Sequence, residues 1–277
     1  VDTIKVQFFL FKTHRTVLYL TVLLCLESTA HGAVIPSLSE RCLAHDYDAC
    51  DALACEYARD DQIKENIIKA ASLFEMACNA GNGSACGHLG YLYTKGTGIE
   101  LNLEKAFTVY KKACNLQVYE SCVNLGISYI LGMGVEKSVD AAMPFLEIGC
   151  EHGQPVGCTL IGNAYYNGQG VKRNVNEANT YYLKACDMNN AEACANLGLN
   201  YAQGEGFKQD FVRAYEFFLK GCRLGAGEGC FNVGVMYANG WGVEQDYTIS
   251  VDFYSKACSL EYQAGCDEYE SLQGNSH

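Results

Sequence analysis

Cys42, Cys78, Cys114, Cys150, Cys186, Cys222 and Cys258 stand 36 residues apart. Each is followed eight residues later by a second cysteine: Cys50, Cys86, Cys122, Cys158, Cys194, Cys230 and Cys266. No insertion or deletion disturbs this spacing over six full units and a seventh half-unit. A fixed period of this length restricts the chain to a solenoid, because each unit is one supersecondary element that buries its apolar face only by stacking on its neighbours.

Within a unit, Cys86, Leu89, Gly90 and Tyr93 fall at i, i+3, i+4 and i+7, one face of an α-helix, here called helix A. It ends at Gly96, the first of a Gly-x-Gly pair that recurs as Gly132/Gly134, Gly168/Gly170, Gly204/Gly206 and Gly240/Gly242. Helix B opens at Asn66, Asn102, Ser138, Asn174, Asp210 and Asp246, all residues able to cap orphan amides. It continues with Leu103, Ala106, Phe107, Tyr110 and Ala113 on one face, carries Lys112, Lys184, Lys220 or Lys256 near its negative end, and stops at Gly81, Gly153, Asn189 or Gly225. Gly90, Gly126, Gly162, Gly198 and Gly234 sit inside helix A, where glycine costs about 1 kcal/mol relative to alanine. Repetition of that cost predicts a neighbour too close for a side chain. Tyr57, Tyr93, Tyr129, Tyr165, Tyr201 and Tyr237, three residues on, read as packing residues.

Two cysteines eight apart on one continuous helix would be separated by about 12 Å, and a disulfide needs Cα atoms within about 7 Å. A turn therefore lies between them, and each pair is predicted to join the end of one helix B to the start of the next helix A. Zinc would instead call for Cys-x2-Cys or Cys/His clusters, whereas His45, His88, His152 and His277 are scattered; neither metal nor cofactor is expected. Cys25 and Cys55 are left over. Cys55, in the apolar stretch DALACEYA, is expected to remain a free thiol packed as a small hydrophobe, the alternative being a reactive or intermolecular thiol.

The ends read differently. Residues 1–30 carry Lys5, Lys12 and Arg15 before the apolar run VLYLTVLLCL and a Ser-Thr-Ala site, the pattern of a signal peptide cleaved after Ala30. The apolar run is too short to span a bilayer, so no membrane span is expected after cleavage, and the product is expected to be secreted or periplasmic and monomeric. A polar linker (residues 31–41), a solenoid (42–266) and a polar C-terminal tail (267–277) follow. The first unit, with ARDDQIKEN in place of the Gly-x-Gly turn, reads as a cap. A net charge of −12 disfavours nucleic acid and anionic membranes as partners.

With these features in place, the chain resembles the Sel1-like repeat proteins, relatives of the tetratricopeptide repeats; the matching run is CANLGLNYAQGEGFKQDFVRAYEFFLKGC. The strict period, the paired cysteines and the signal peptide are similar to those of the Helicobacter cysteine-rich protein family. The mitochondrial intermembrane-space Sel1 proteins share such pairs but not a bacterial-type signal peptide. The resemblance implies an all-α, α/α superhelical solenoid with disulfide-bridged helix pairs. It further implies either penicillin binding with weak β-lactamase activity, hence β-lactams as ligands, or an immunomodulatory role toward host cells.

The residues themselves favour binding over catalysis. Ser-x-x-Lys, Ser-Asp-Asn and Lys-Thr-Gly are absent, and Lys95-Gly96-Thr97-Gly98 is only the interhelix turn. In tetratricopeptide-like superhelices helix A lines the concave side, which places His88, Tyr91, Asn124, Asn163, Asn167, Asn196, Asn200, Asn232 and Asn239 in a groove. Asparagine amides suit an extended peptide backbone or a carboxylate, so the expected partners are a peptide, a peptidoglycan fragment or a protein.

Overall fold

The computed structural model describes residues 34–59, 63–96 and 98–274. The expected signal peptide lies outside the described residues, as does Thr97 of the interhelix turn. Among the described residues every regular element is a helix. After α1 (Val34–Leu43), the A helices are α2 (Tyr47–Ala58), α4 (Gly83–Lys95), α6 (Tyr119–Leu131), α8 (Pro155–Asn167), α10 (Ala191–Gln203), α12 (Gly227–Asn239) and α14 (Gln263–Gly274). The B helices alternate with them: α3 (Lys64–Asn79), α5 (Leu103–Asn115), α7 (Val139–Glu151), α9 (Val175–Asp187), α11 (Phe211–Arg223) and α13 (Tyr247–Ser259). Each helix packs chiefly on the one before and the one after, the defining property of a solenoid.

The turn from A to B is built the same way in each of the five later units. Gly96, Gly132, Gly168, Gly204 and Gly240 close their A helices with φ between 64° and 74°, donating to the carbonyl four residues back. The second glycine has a separate reason: a Cβ on Gly134 would lie 2.1 Å from the Leu103 carbonyl oxygen, so the turn lies flat against the start of the preceding B helix. Asn102, Ser138, Asn174, Asp210 and Asp246 then cap the B helices through their side chains. Their backbone N–H groups donate to Tyr93, Tyr129, Tyr165, Tyr201 and Tyr237, which pins each turn to its tyrosine. Asn66 departs from the pattern. It lies inside α3, whose N-cap is Ile63 with no side-chain bond, because the first unit lacks the glycine turn that sets the register of the others.

The glycines inside helix A make room for a ring. A Cβ on Gly90, Gly162, Gly198 or Gly234 would come within 2.6–2.8 Å of Tyr110, Tyr182, Phe218 or Tyr254 of the same unit's B helix, and on Gly126 within 2.6 Å of Leu146. Tyr110, Tyr182 and Phe218 are among the largest fully buried side chains. Burying an aromatic side chain stabilises by about 1.5–3 kcal/mol, more than the roughly 1 kcal/mol helix cost of the glycine that admits it.

Seven disulfides close the turns from B to A, Cys42–Cys50 through Cys258–Cys266, with Cα–Cα separations of 4.5–4.8 Å. The pairing agrees with the arithmetic of the sequence. Cys55 does not: it is disulfide-bonded rather than a free thiol, and there is no free cysteine among the described residues.

Both ends extend the repeat further than expected. From Val34 the presumed linker is α1, and Leu38 lies one period before Phe74, buried at the ring position of a B helix. Arg41, in the last turn of α1, pairs with Asp46 at 2.6 Å, and the Ala49 amide together with this guanidinium holds the Asp46 carboxyl below its usual range. Residues 267–274 of the presumed tail are the rest of α14, with Tyr269 and Leu272 packed on the last core cluster.

Candidate functional site

Successive A helices touch one another, α6 with α8, α10 with α12 and α12 with α14, whereas successive B helices do not meet to that extent. The A helices therefore approach one another more closely along the stack than the B helices do. A strip at i, i+4, i+7 and i+11 from the second helical residue runs along each A helix. On α8 it reads Val156, Leu160, Asn163 and Asn167; on α10 it reads Glu192, Asn196, Leu199 and Gln203.

The nine residues expected to line the groove fall into two groups. Tyr91, Asn163 and Asn196 are half-buried, and Asn167 and Asn239 are exposed, so these five reach the surface. Asn167 and Asn239 each donate Nδ2 to the carbonyl four residues back in their own helix, at 2.9 and 2.8 Å, which fixes the amide and leaves Oδ1 as the acceptor. Asn163 accepts the Tyr182 hydroxyl at 2.7 Å and donates toward Glu192 at 3.4 Å. Burial pushes the Tyr182 hydroxyl well above the usual tyrosine range, with the Glu192 carboxylate adding to it, so this hydroxyl stays a proton donor to Asn163.

The other four are withdrawn from the surface. Asn124, Asn200, Asn232 and His88 are 0, 2, 6 and 8 % exposed. Asn200 donates to Asn179 of α9, and Asn179 in turn donates to the Glu205 carbonyl at 3.0 Å, so this amide braces the A–B turn. Asn232 donates to the Glu228 carbonyl of its own helix at 3.0 Å. Helical spacing places His88, Asn124 and Asn232 on the same strip as the exposed residues, and Asn200 one turn after Asn196, but spacing does not report how tightly adjacent helices close over them.

His88 meets residues of α2 that the sequence reading did not connect with it. Its Nδ1 lies 2.9 Å from Asp51 Oδ1 and 3.9 Å from Cys55 Sγ, and its ring packs on Phe74 at 5.0 Å. Asp51 precedes His88 by one period and one residue, so the repeat register offers a signal only to a reader who already expects α2 to pack on α4. The cluster has the composition of a Cys-His-Asp triad without its geometry. A triad uses opposite ring nitrogens for base and orienting group, and here both neighbours approach Nδ1 while Nε2 is buried and unsatisfied. The three donor atoms lie within 4.8 Å of one another, but Cys55 Sγ is committed to a disulfide. Asp51 and His88 alone fall short of the three or four ligands that hold a zinc ion.

This architecture, an α/α superhelical solenoid stapled at every B-to-A turn, defines the class. The Sel1 repeat model matches residues 48–82, 83–118, 120–154, 155–190, 191–225 and 227–262, and the chain belongs to the Sel1 repeat family. A protective antigen of uropathogenic Escherichia coli strains displaying an SLR fold is similar over 87% of this chain at 26% identity, with a TM-score of 0.78; this chain spans 52% of the antigen. A Sel1 repeat protein from Oxalobacter formigenes is similar over 76% of this chain and 85% of its own at 27% identity, with a TM-score of 0.67. Cysteine rich protein B of Helicobacter pylori is 27% identical over 47% of this chain and 94% of its own, with a TM-score of 0.40. Among curated proteins nothing matches the chain. Sel1 repeats generally mediate protein interactions, and no helix among the described residues is long and apolar enough to cross a membrane.

Proposed function

We propose that the protein is an extracytoplasmic binding scaffold that holds an extended peptide segment of a partner along the inner face of its A helices. The observation that carries this is an amide at the last-turn position of three successive A helices, Asn167, Gln203 and Asn239, joined on the same strip by Asn163 and Asn196 and interleaved with Tyr91, Leu160 and Val235. Amide acceptors that recur once per unit at that last-turn position suit the N–H groups of an extended backbone, and the apolar residues between them suit alternate side chains. Seven disulfides support an oxidising compartment, secreted or periplasmic. The similar Escherichia coli protein, described as a protective antigen, is in keeping with such a placement.

β-Lactam hydrolysis gains nothing from the geometry of the one acid–histidine pair described above. Selection of peptides from a random display library on the purified protein tests the proposal. Binders should lose about 1–3 kcal/mol on Asn167→Ala with Asn196→Ala, with the helical circular-dichroism spectrum unchanged. Nitrocefin turnover at an ordinary enzymatic rate, or binders indifferent to both substitutions, would overturn it.

A further inference from the structure

The seam between the A and B helices of a unit carries a feature independent of the reading above. In the B helices, the residue just before the buried ring position reads Leu73, Val109, Phe145, Tyr181, Phe217 and Phe253 in successive units. In the last four units this ring stacks on the half-buried tyrosine of the same unit's A helix. Tyr129 meets Phe145 at 5.7 Å between centroids, Tyr165 meets Tyr181 at 5.9 Å, Tyr201 meets Phe217 at 5.4 Å and Tyr237 meets Phe253 at 6.0 Å, all within 11° of parallel. Offset parallel stacking at this separation is a favourable aromatic geometry.

The column begins at the third unit, and the first two units carry Leu73 and Val109 in place of the ring. Val109 supplies two methyl groups where the later units supply a ring, and a cleft of about 440 Å³ opens between α3, α4 and α5, floored by Leu89, Tyr93 and Val109. Its rim holds Glu75 and Glu104 against Lys105 and Lys112, so the formal charges cancel and none selects a charged guest. What the floor selects is a flat apolar group that can lie on Tyr93.

We propose that this cleft is a docking site for an aromatic side chain of a partner protein, the incoming ring stacking on Tyr93 as Phe145 stacks on Tyr129. The later units of the chain are the template for the bound state. Lys105 Nζ sits 5.4 Å over the Tyr93 ring, and this does not bar the guest: Arg213, three periods on, sits 5.6 Å over Tyr201 while Phe217 stacks on the same ring. A tyrosine in this fold accepts a cation and a ring together.

The test is an NMR titration of the full chain with N-acetyl-tyrosinamide, and with N-acetyl-leucinamide as an apolar probe that lacks a ring. The aromatic probe should shift the signals of Leu89, Tyr93 and Val109 saturably. The leucine probe should bind about tenfold more weakly or not at all. Val109→Phe should abolish the shifts and raise Tm by filling the cleft from within, and Val109→Leu, the residue type of the first unit, should weaken them. Equal binding of the two probes, no saturable shift, or undiminished binding by Val109→Phe would overturn the proposal. Failure of Val109→Phe to fold would also contradict it, since a ring would then not fit where the four later units carry one. None of these results bears on the inner face.

Discussion

The glycine at the centre of each A helix shows how a residue with poor helix propensity can be the stabilising choice. Gly162→Ala removes about 1 kcal/mol of helix cost but drives a methyl to 2.6 Å from the Tyr182 ring. Overpacking of a filled core costs about 1–3 kcal/mol, so net destabilisation is expected in denaturant unfolding; a neutral or stabilised variant would mean that the ring moves aside freely. The buried tyrosines also set an alkaline limit. Burial, then the hydrogen bond to and the charge of Glu205, push Tyr166 up to about 12, and burial followed by the Glu228 carboxylate does the same for Tyr262. An unfolded tyrosine ionises near pH 10. The folded chain therefore keeps protons that the unfolded chain releases, and the stability these groups contribute is intact below about pH 10 and is lost as pH rises toward about 12. Phenolate absorbance and the denaturant midpoint, followed together against pH, check this. The close approach at Gly162 was legible in the sequence because a repeated cost implies a repeated reason. The burial of Asn124 and Asn200 was not, because the spacing that puts an asparagine on an A helix does not report whether the neighbouring helix closes over it.

At the scale of the helix, one unit differs from the next mainly in its caps. Asn174 accepts from two amides, those of Asn176 and Glu177, at the start of α9. Asn174→Ala should cost about 0.5–2 kcal/mol, read as a lower denaturant midpoint, with Asn174→Asp close to wild type; a cost equal for Ala and Asp would place the effect elsewhere. Cap residues were readable in five units and misread at Asn66, where the glycine turn that fixes the register is missing. The same register, run backward by one period from Phe74 to Leu38, points to α1 as the last part of a B helix. Proline and serine in that stretch read locally as linker, and the periodic signal is weaker than the local one when only a fraction of a unit is left.

For the whole molecule, stability is local: a B-helix side chain seats on a glycine within each unit, a disulfide closes each junction, and among the described residues the helices pack chiefly on their nearest neighbours. Each bridge closes a short loop and is worth roughly 2–3 kcal/mol on the chain-entropy model, spent locally because solenoid stability is a sum over units and nearest-neighbour interfaces. Hydrogen exchange of Cys150→Ser with Cys158→Ser, compared with the parent chain, tests this most directly. Faster exchange confined to α7, α8 and their immediate neighbours, with α3 and α13 as protected as before, is the predicted result; a uniform loss of protection from α3 to α13 would contradict it.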